Sequence, residues 1–268
     1  MIHPHTYIHP NAKLATNVKV DPFTVIHHNV EVGEGTWIGS NVTIMEGARI
    51  GKNCRIFPGA VISAIPQDLK FEGEDSLVEI GDNTTIREFV TINRGTKERG
   101  RTTVGNSCLI QAYSHIAHDC IVGDNCIITN NSQIAGHVVM GDWAILGGMC
   151  AVHQFVKIGA HCYIGGGSLV GKDVPPYIKA GRQPLSYAGV NSIGLKRRGF
   201  TIEKINHILD IYRTIYNKGL NTSQALEILE EEFQATDERD EIVTFIRESG
   251  RGIIKRYTKN SVDDNIVD

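Results

Sequence analysis

The sequence lacks three things, and each absence narrows its function. It has no excess of one charge: 27 Lys and Arg stand against 30 Asp and Glu, a formal net charge of −3. A nucleic-acid binder normally carries a marked basic surplus, so the balance argues against nucleic acid as a partner. A local basic cluster would still suit one anionic ligand. No window holds 18 consecutive apolar residues, so no membrane-spanning helix is expected. Residues Met1 to Lys13 show no basic stretch followed by an apolar run, so the sequence predicts no secretory signal and a cytoplasmic location. In that compartment the six cysteines are expected as reduced thiols rather than disulfides.

What the sequence does have is a period. Ile, Leu or Val recurs every six residues from Ile2 to Ile62, again at Ile80, Ile86 and Ile92, and from Val104 to Val170. Of these 26 hexads only the one led by Met140 departs from the aliphatic rule. The next residue is often Gly (Gly33, Gly39, Gly51, Gly81), which reads as the point where the backbone bends sharply. The fifth residue is small, and all six cysteines (Cys54, Cys108, Cys120, Cys126, Cys150, Cys162) fall there, so they read as small buried hydrophobes. A six-residue unit cannot bury its aliphatic side chain alone. Three of them make a triangular coil of 18 residues, and coils stack at the ordinary strand spacing of ~4.8 Å.

Two polar excursions interrupt the coils, at 63–79 and 94–103, and such insertions emerge as loops on the binding side of a solenoid. The register fails after Val174, at Pro175-Pro176. Helical spacing begins near Asn191. Thr201 is a cap for a helix carrying Ile205, Ile208, Leu209 and Tyr212, and further helical segments are expected at Ser223–Phe233 and Glu241–Ser249. The expected division is a solenoid over 1–190 and a helical domain over 191–268 that caps the open end and protects its edge strands. The hand of the coil does not follow from the period, because parallel crossovers ordinarily prefer the opposite hand. The hexad pattern resembles the hexapeptide-repeat family, which implies a mainly β fold, a left-handed parallel β-helix with a C-terminal α-helical domain.

The hexads led by Ile116, Ile134 and Val152 lie 18 residues apart, so they share one face on successive coils and bring His118, His137 and His153 together. His115 ends the preceding hexad. Three readings stand at this point. The rings are solvated surface residues; or they bind zinc, as in carbonic anhydrases with this fold; or one acts as general base toward an acceptor hydroxyl.

The surrounding words are more specific. Ile116-Ala117-His118-Asp119-Cys120, Ala135-Gly136-His137-Val138 and Ala151-Val152-His153-Gln154-Phe155 resemble the UDP-N-acetylglucosamine O-acyltransferases of lipid A synthesis. So do Gln67-Asp68-Leu69-Lys70, Asn93-Arg94-Gly95-Thr96, Asp173-Val174-Pro175-Pro176-Tyr177 and the stretch from Gly189-Val190-Asn191 to Gly199-Phe200. The likeness spans nearly the whole chain.

The resemblance implies transfer of an (R)-3-hydroxyacyl chain from acyl carrier protein to the glucosamine 3-position of UDP-N-acetylglucosamine, the first step of lipid A synthesis. It needs no cofactor or metal. His118 would be the general base, Asp119 its orienting partner, and the Gly136 N–H a donor to the tetrahedral oxyanion. His115 and His137 would line the site, and Asp68 and Lys70 would hold the sugar nucleotide from a loop of the neighbouring subunit of a homotrimer. His153, Gln154, Asn191, Arg197 and Arg198 would contact the UDP portion, Arg198 suiting phosphate by its fork geometry. Gly166 would leave room at the acyl-chain end. Lys172, Arg182, Lys196 and Arg197 would face the acidic carrier protein.

Two places depart from the family's wording: Ser192-Ile193, where a carboxylate is common, and Gln111-Ala112-Tyr113-Ser114 before the histidine. Three alternatives are weighed. The related N-acyltransferase carries a uridine-binding domain before its helix, whereas these hexads begin at Ile2. A zinc carbonic anhydrase would carry metal. A non-catalytic scaffold would be indifferent to loss of His118.

Overall fold

The computed structural model describes residues 1–257, so 258–268 of the expected helical domain lie outside the described residues. The chain winds as a three-sided parallel β-helix. Nine strands from Tyr7–Ile8 to Leu169–Val170 form the first face, eight from Lys13–Leu14 to Lys157–Ile158 the second, and ten the third, which begins at Lys19–Val20. Pairing is in register at 18 residues, as in Val25 with Thr43 and His115 with Gln133. It stretches to 30 between Val61 and Thr91 and to 24 between Thr91 and His115, where the two excursions leave the first face. Every hexad-leading residue is buried except Ile2, Ile8 and Leu14, which belong to the first coil and have no coil beneath them.

The bend lies elsewhere in the hexad than expected. The glycines after the aliphatic residue have no positive φ; the left-handed conformation comes two residues later, at Asn29, Asn41, Asn125, Asn131 and their equivalents. Asn tolerates that region better than most residues. The earlier glycine answers to coil spacing: a Cβ on Gly33 would sit 2.6 Å from the Gly51 carbonyl carbon one coil on. The fifth position is also more than small. Thr24 and Thr36 donate hydroxyl bonds to the carbonyl 15 residues ahead, Thr84 does so to the equivalent Gly105 carbonyl beyond the second excursion, and Cys54, Cys108, Cys120, Cys126 and Cys150 direct their thiols to similarly placed carbonyls. Each coil thus gains a polar link that a plain hydrophobe would forgo. Burial pushes the Cys120 and Cys162 thiols up to about 12, which leaves them poor nucleophiles.

The upper end is closed by strands as well as helices. Ile178–Gly181 joins the third face and turns back into the antiparallel Ser186–Val190. Among the described residues four helices follow: α1 (Ser192–Arg197), α2 (Ile202–Asn217), α3 (Thr222–Glu232) and α4 (Asp237–Arg247). Thr201 caps α2, as read from the sequence. Helix α4 starts four residues before the expected Glu241, because Thr236 caps it and Asp237, Glu238 and Asp240 occupy its first turn, where the helix dipole favours anions. The helices seat on the solenoid end through Tyr212 Oη, which donates to the Pro176 carbonyl at 2.6 Å, and through contact of Tyr177 with Glu241, whose pKa burial raises. No helix among the described residues is long and apolar enough to cross a membrane.

Candidate active site

His118 lies at the corner where the chain leaves the first face for the second. Its imidazole is buried, and its immediate neighbour Asp119 holds φ +60°. Successive side chains on an extended segment point apart; the left-handed turn at Asp119 brings its carboxylate back, and His118 Nδ1 meets Asp119 Oδ2 at 2.8 Å. The second loop completes the hold. Thr96 Oγ1 donates to the same Oδ2 at 2.7 Å, and the Thr96 N–H donates to Oδ1 at 3.0 Å. A carboxylate only accepts, so Nδ1 carries the proton of the neutral ring and Nε2 is the basic nitrogen.

Two groups flank that Nε2. Asp68 Oδ2, from the first loop, stands 4.0 Å away. Gly136, at the matching place one coil on, has its missing Cβ position 2.7 Å from His118 Nε2, so any larger residue would displace the ring. The Gly136 N–H donates no hydrogen bond among the described residues. Asp68 reaches His118 within one chain, which corrects the expectation that this loop is supplied by a neighbour. The reason is topological: Val61–Ala64 belongs to the same face as His115–Ile116, two strands below it, so the loop rises along the same corner. Lys70 stays exposed on the loop, its N–H donating to Asp68 Oδ1 at 3.0 Å.

The histidine column is shorter than expected. His118 and His137 meet edge to face with centroids 5.1 Å apart, but the ring stacked on His137 at 4.6 Å is Phe155. Asp119, His137 and Phe155 share the corner position and its positive φ, whereas His153, two residues before that corner, turns its Nδ1 to the Gln154 carbonyl. His153 therefore makes no ring contact with His118 or His137 among the described residues, and Gln154 is half-buried beside it. His115, on the flat of the first face, shares a 2.7 Å hydrogen bond with Thr91 Oγ1; burial, then nearby His118, lowers its pKa.

Asn191, Arg197 and Arg198 lie elsewhere. They belong to α1, at the corner between the second and third faces, where Trp143, His161 and Tyr177 stack in parallel. Asn191 Oδ1 caps α1 through the Gly194 N–H and its Nδ2 donates to the His161 carbonyl, so its amide ties the helix start to the solenoid corner. Arg198 lies over the Trp143 ring at 5.3 Å, its Nη2 donating to the Trp143 carbonyl and its Nη1 3.4 Å from His161 Nδ1. Burial and that guanidinium bring His161 down to about 4. Arg197 is exposed. Gly166 sits at the third corner, with Gly148 O 3.0 Å from where a Cβ would stand. One chain thus brings His118, Asp119, Gly136, His137 and Asp68 together, and holds the α1 residues at another corner.

Sequence reading missed Thr96 and His161. The Asn93-Arg94-Gly95-Thr96 word was visible, but nothing local shows a loop closing onto a carboxylate 23 residues away. His118, Asp119 and His137 offer donor atoms within 4.8 Å of one another, as a metal site would. Yet Nδ1 and Oδ2 sit at hydrogen-bond distance, closer than two ligands each ~2.0–2.2 Å from a tetrahedral zinc would stand. The arrangement is that of an imidazole oriented by a carboxylate through a hydrogen bond.

Comparison with known proteins agrees with this chemistry. The family described as Udp N-acetylglucosamine O-acyltransferase, domain 2, matches residues 173–254, and the bacterial transferase hexapeptide family matches 29–64 and 101–136. The acyl-[acyl-carrier-protein]–UDP-N-acetylglucosamine O-acyltransferase of a Sulfurihydrogenibium species is 53% identical over 262 residues, covering 97% of each chain. That of Chlorobaculum parvum is 53% identical over 252 residues, 94% of this chain and 96% of the other. The crystal structure of the UDP-N-acetylglucosamine acyltransferase from Bacteroides fragilis superposes with a TM-score of 0.93 at 52% identity, covering 95% of this chain and all of that one. The shared fold is a left-handed parallel β-helix with a C-terminal helical domain. A hexapeptide solenoid matched nearly end to end at up to 53% identity, with an imidazole held by a buried carboxylate at one corner, places this chain in the acyl-[acyl-carrier-protein]–UDP-N-acetylglucosamine O-acyltransferase family.

Proposed function

We propose that the chain transfers an (R)-3-hydroxyacyl group from acyl carrier protein to the glucosamine 3-hydroxyl of UDP-N-acetylglucosamine, with His118 as general base. The observation that carries this reading is the orientation of one ring: Nδ1 tied to Asp119, Nε2 free beside Asp68 and against Gly136, whose N–H donates no hydrogen bond among the described residues. His118 Nε2 takes the hydroxyl proton as the oxygen attacks the thioester carbonyl. The oxyanion accepts from the Gly136 N–H, the C–S bond breaks, and the leaving thiolate recovers the proton from Nε2. Asp119 keeps the ring in register and offsets the imidazolium charge. Asp68 and Lys70 hold the sugar, His115 and His137 line its approach, and Gly166 leaves space for the acyl end.

Arg198, with Arg197, suits the diphosphate by charge, and His153 and Gln154 suit the uridine side. Because Arg198 and His118 occupy different corners of one chain, a complete site needs a second copy, and a homotrimer supplies it. Two features of the surface support such packing. The outward residues of the first face from Val25 to Leu169 include no Lys, Arg, Asp or Glu, and Phe89 and Tyr113 stack at 5.2 Å on its exposed edge. An open groove of about 850 Å³ along the second face, lined by residues such as Lys13, Arg49 and Glu79, includes none of the catalytic residues. The test is an assay of purified protein with UDP-N-acetylglucosamine and a panel of 3-hydroxyacyl carrier proteins. Product with at least one chain length supports the reading. No acyl transfer with any of them contradicts it.

A further inference from the structure

The second excursion begins with Asn93-Arg94-Gly95-Thr96, four residues assigned to no step above. Three of them are buried polar side chains, unusual in a solvent-facing loop. Thr96 donates twice to Asp119, from its hydroxyl and its N–H. The other two face the opposite way. Asn93 Nδ2 donates to the Ile65 carbonyl at 2.9 Å, and the Arg94 N–H donates to the Ala64 carbonyl at 2.9 Å, fixing the point where the first loop departs. The Arg94 guanidinium pairs with Glu46 at 2.9 Å and lies 5.6 Å from the Phe71 ring centre. Phe71 in turn closes a backbone turn onto Asp68, its N–H donating to the Asp68 carbonyl at 3.0 Å.

We propose that Asn93–Thr96 is a brace that positions both carboxylates flanking the His118 ring, Asp119 on the Nδ1 side through Thr96 and Asp68 on the Nε2 side through Arg94 and Phe71. This rests on the reading of His118 as base and Asp68 as sugar ligand. The two arms have separable consequences. Thr96 acts on the group that aligns the base and so on the chemical step. Arg94 acts on the loop that grips the sugar and so on binding. A misplacement of about 1 Å at either side is enough to cost on the order of a hundredfold.

Acyl transfer by Thr96→Val, Thr96→Ser, Arg94→Met and Phe71→Leu is compared with the parent, alongside amide hydrogen exchange without substrate. Phe71→Leu tests the Arg94 arm without removing a buried charge. The brace predicts that Thr96→Val lowers kcat roughly 10- to 100-fold with little change in KM, and that Thr96→Ser restores it. Arg94→Met and Phe71→Leu raise KM for UDP-N-acetylglucosamine roughly 10-fold with little change in kcat, and speed exchange over 65–75. Parent-like kcat in Thr96→Val, or parent-like exchange over 65–75 in both loop variants, overturns the brace. The exchange arm holds whether or not the parent transfers acyl groups, so an inactive parent would count against the proposed activity alone.

Discussion

His118 Nδ1 and Asp119 Oδ2 stand 2.8 Å apart although the two residues are adjacent in the chain, a contact made possible by the φ of +60° at Asp119. The same backbone corner that lets the solenoid turn is therefore what aligns the His118 ring. Asp119 is buried and takes its other bonds from Thr96, so no solvent donor competes for it.

Replacing Asp119 with Ala removes the acceptor for Nδ1–H without enlarging any side chain. Steady-state kinetics are expected to show kcat down on the order of 10²-fold with KM for the sugar nucleotide within about threefold, because the loss falls on the protonated ring formed during reaction. A change confined to KM would assign Asp119 to substrate instead.

Gly136 gives a sharper steric test. Its backbone has no positive φ, so Gly136→Ala carries no conformational penalty there, but the new methyl would lie 2.7 Å from His118 Cε1 and Nε2. The ring must shift. Acyl transfer should fall by at least about 10²-fold while the melting temperature changes little, read by calorimetry beside the assay.

These two residues also show how far the sequence could be read. The hexad period requires inward aliphatics and an 18-residue coil, so the meeting of His118 and His137 at one corner of neighbouring coils follows from counting. The turn at Asp119 does not follow from the aliphatic period; it follows from the corner position that Asp119 shares with Asn125 and Asn131, where Asn marks the left-handed φ and Asp119 does not. Glycine misled for a related reason: both a sharp bend and a close neighbouring coil demand a small residue, and Gly33 answers the second. Spacing groups His153 with His137, but two residues of offset place it on the flat rather than the corner. Helix α4 starts four residues before its apolar spacing predicts, because Thr236 and the acids after it form a complete start signal. The separation of Arg198 from His118 needed the three faces to be assigned, which depends on counting through both loop insertions.

His161 should leave a signature in stability against pH. Its folded pKa of about 4 lies below the ordinary 6.5, through burial and Arg198, with Asp142 acting the other way. Between those values the unfolded chain binds a proton that the native ring refuses, so stability declines as pH falls through that window and is unaffected above it. Melting temperature measured from pH 7 to pH 4.5 should fall less steeply in His161→Gln than in the parent. Identical slopes would remove His161 from the account.

The most direct test is single-turnover acyl transfer by His118→Ala, with oligomeric state measured on the same sample. The account predicts a rate lower by a factor on the order of 10²–10⁴ in a protein that assembles as the parent does. A correctly assembled His118→Ala protein that transfers the acyl group at the parent rate would contradict it.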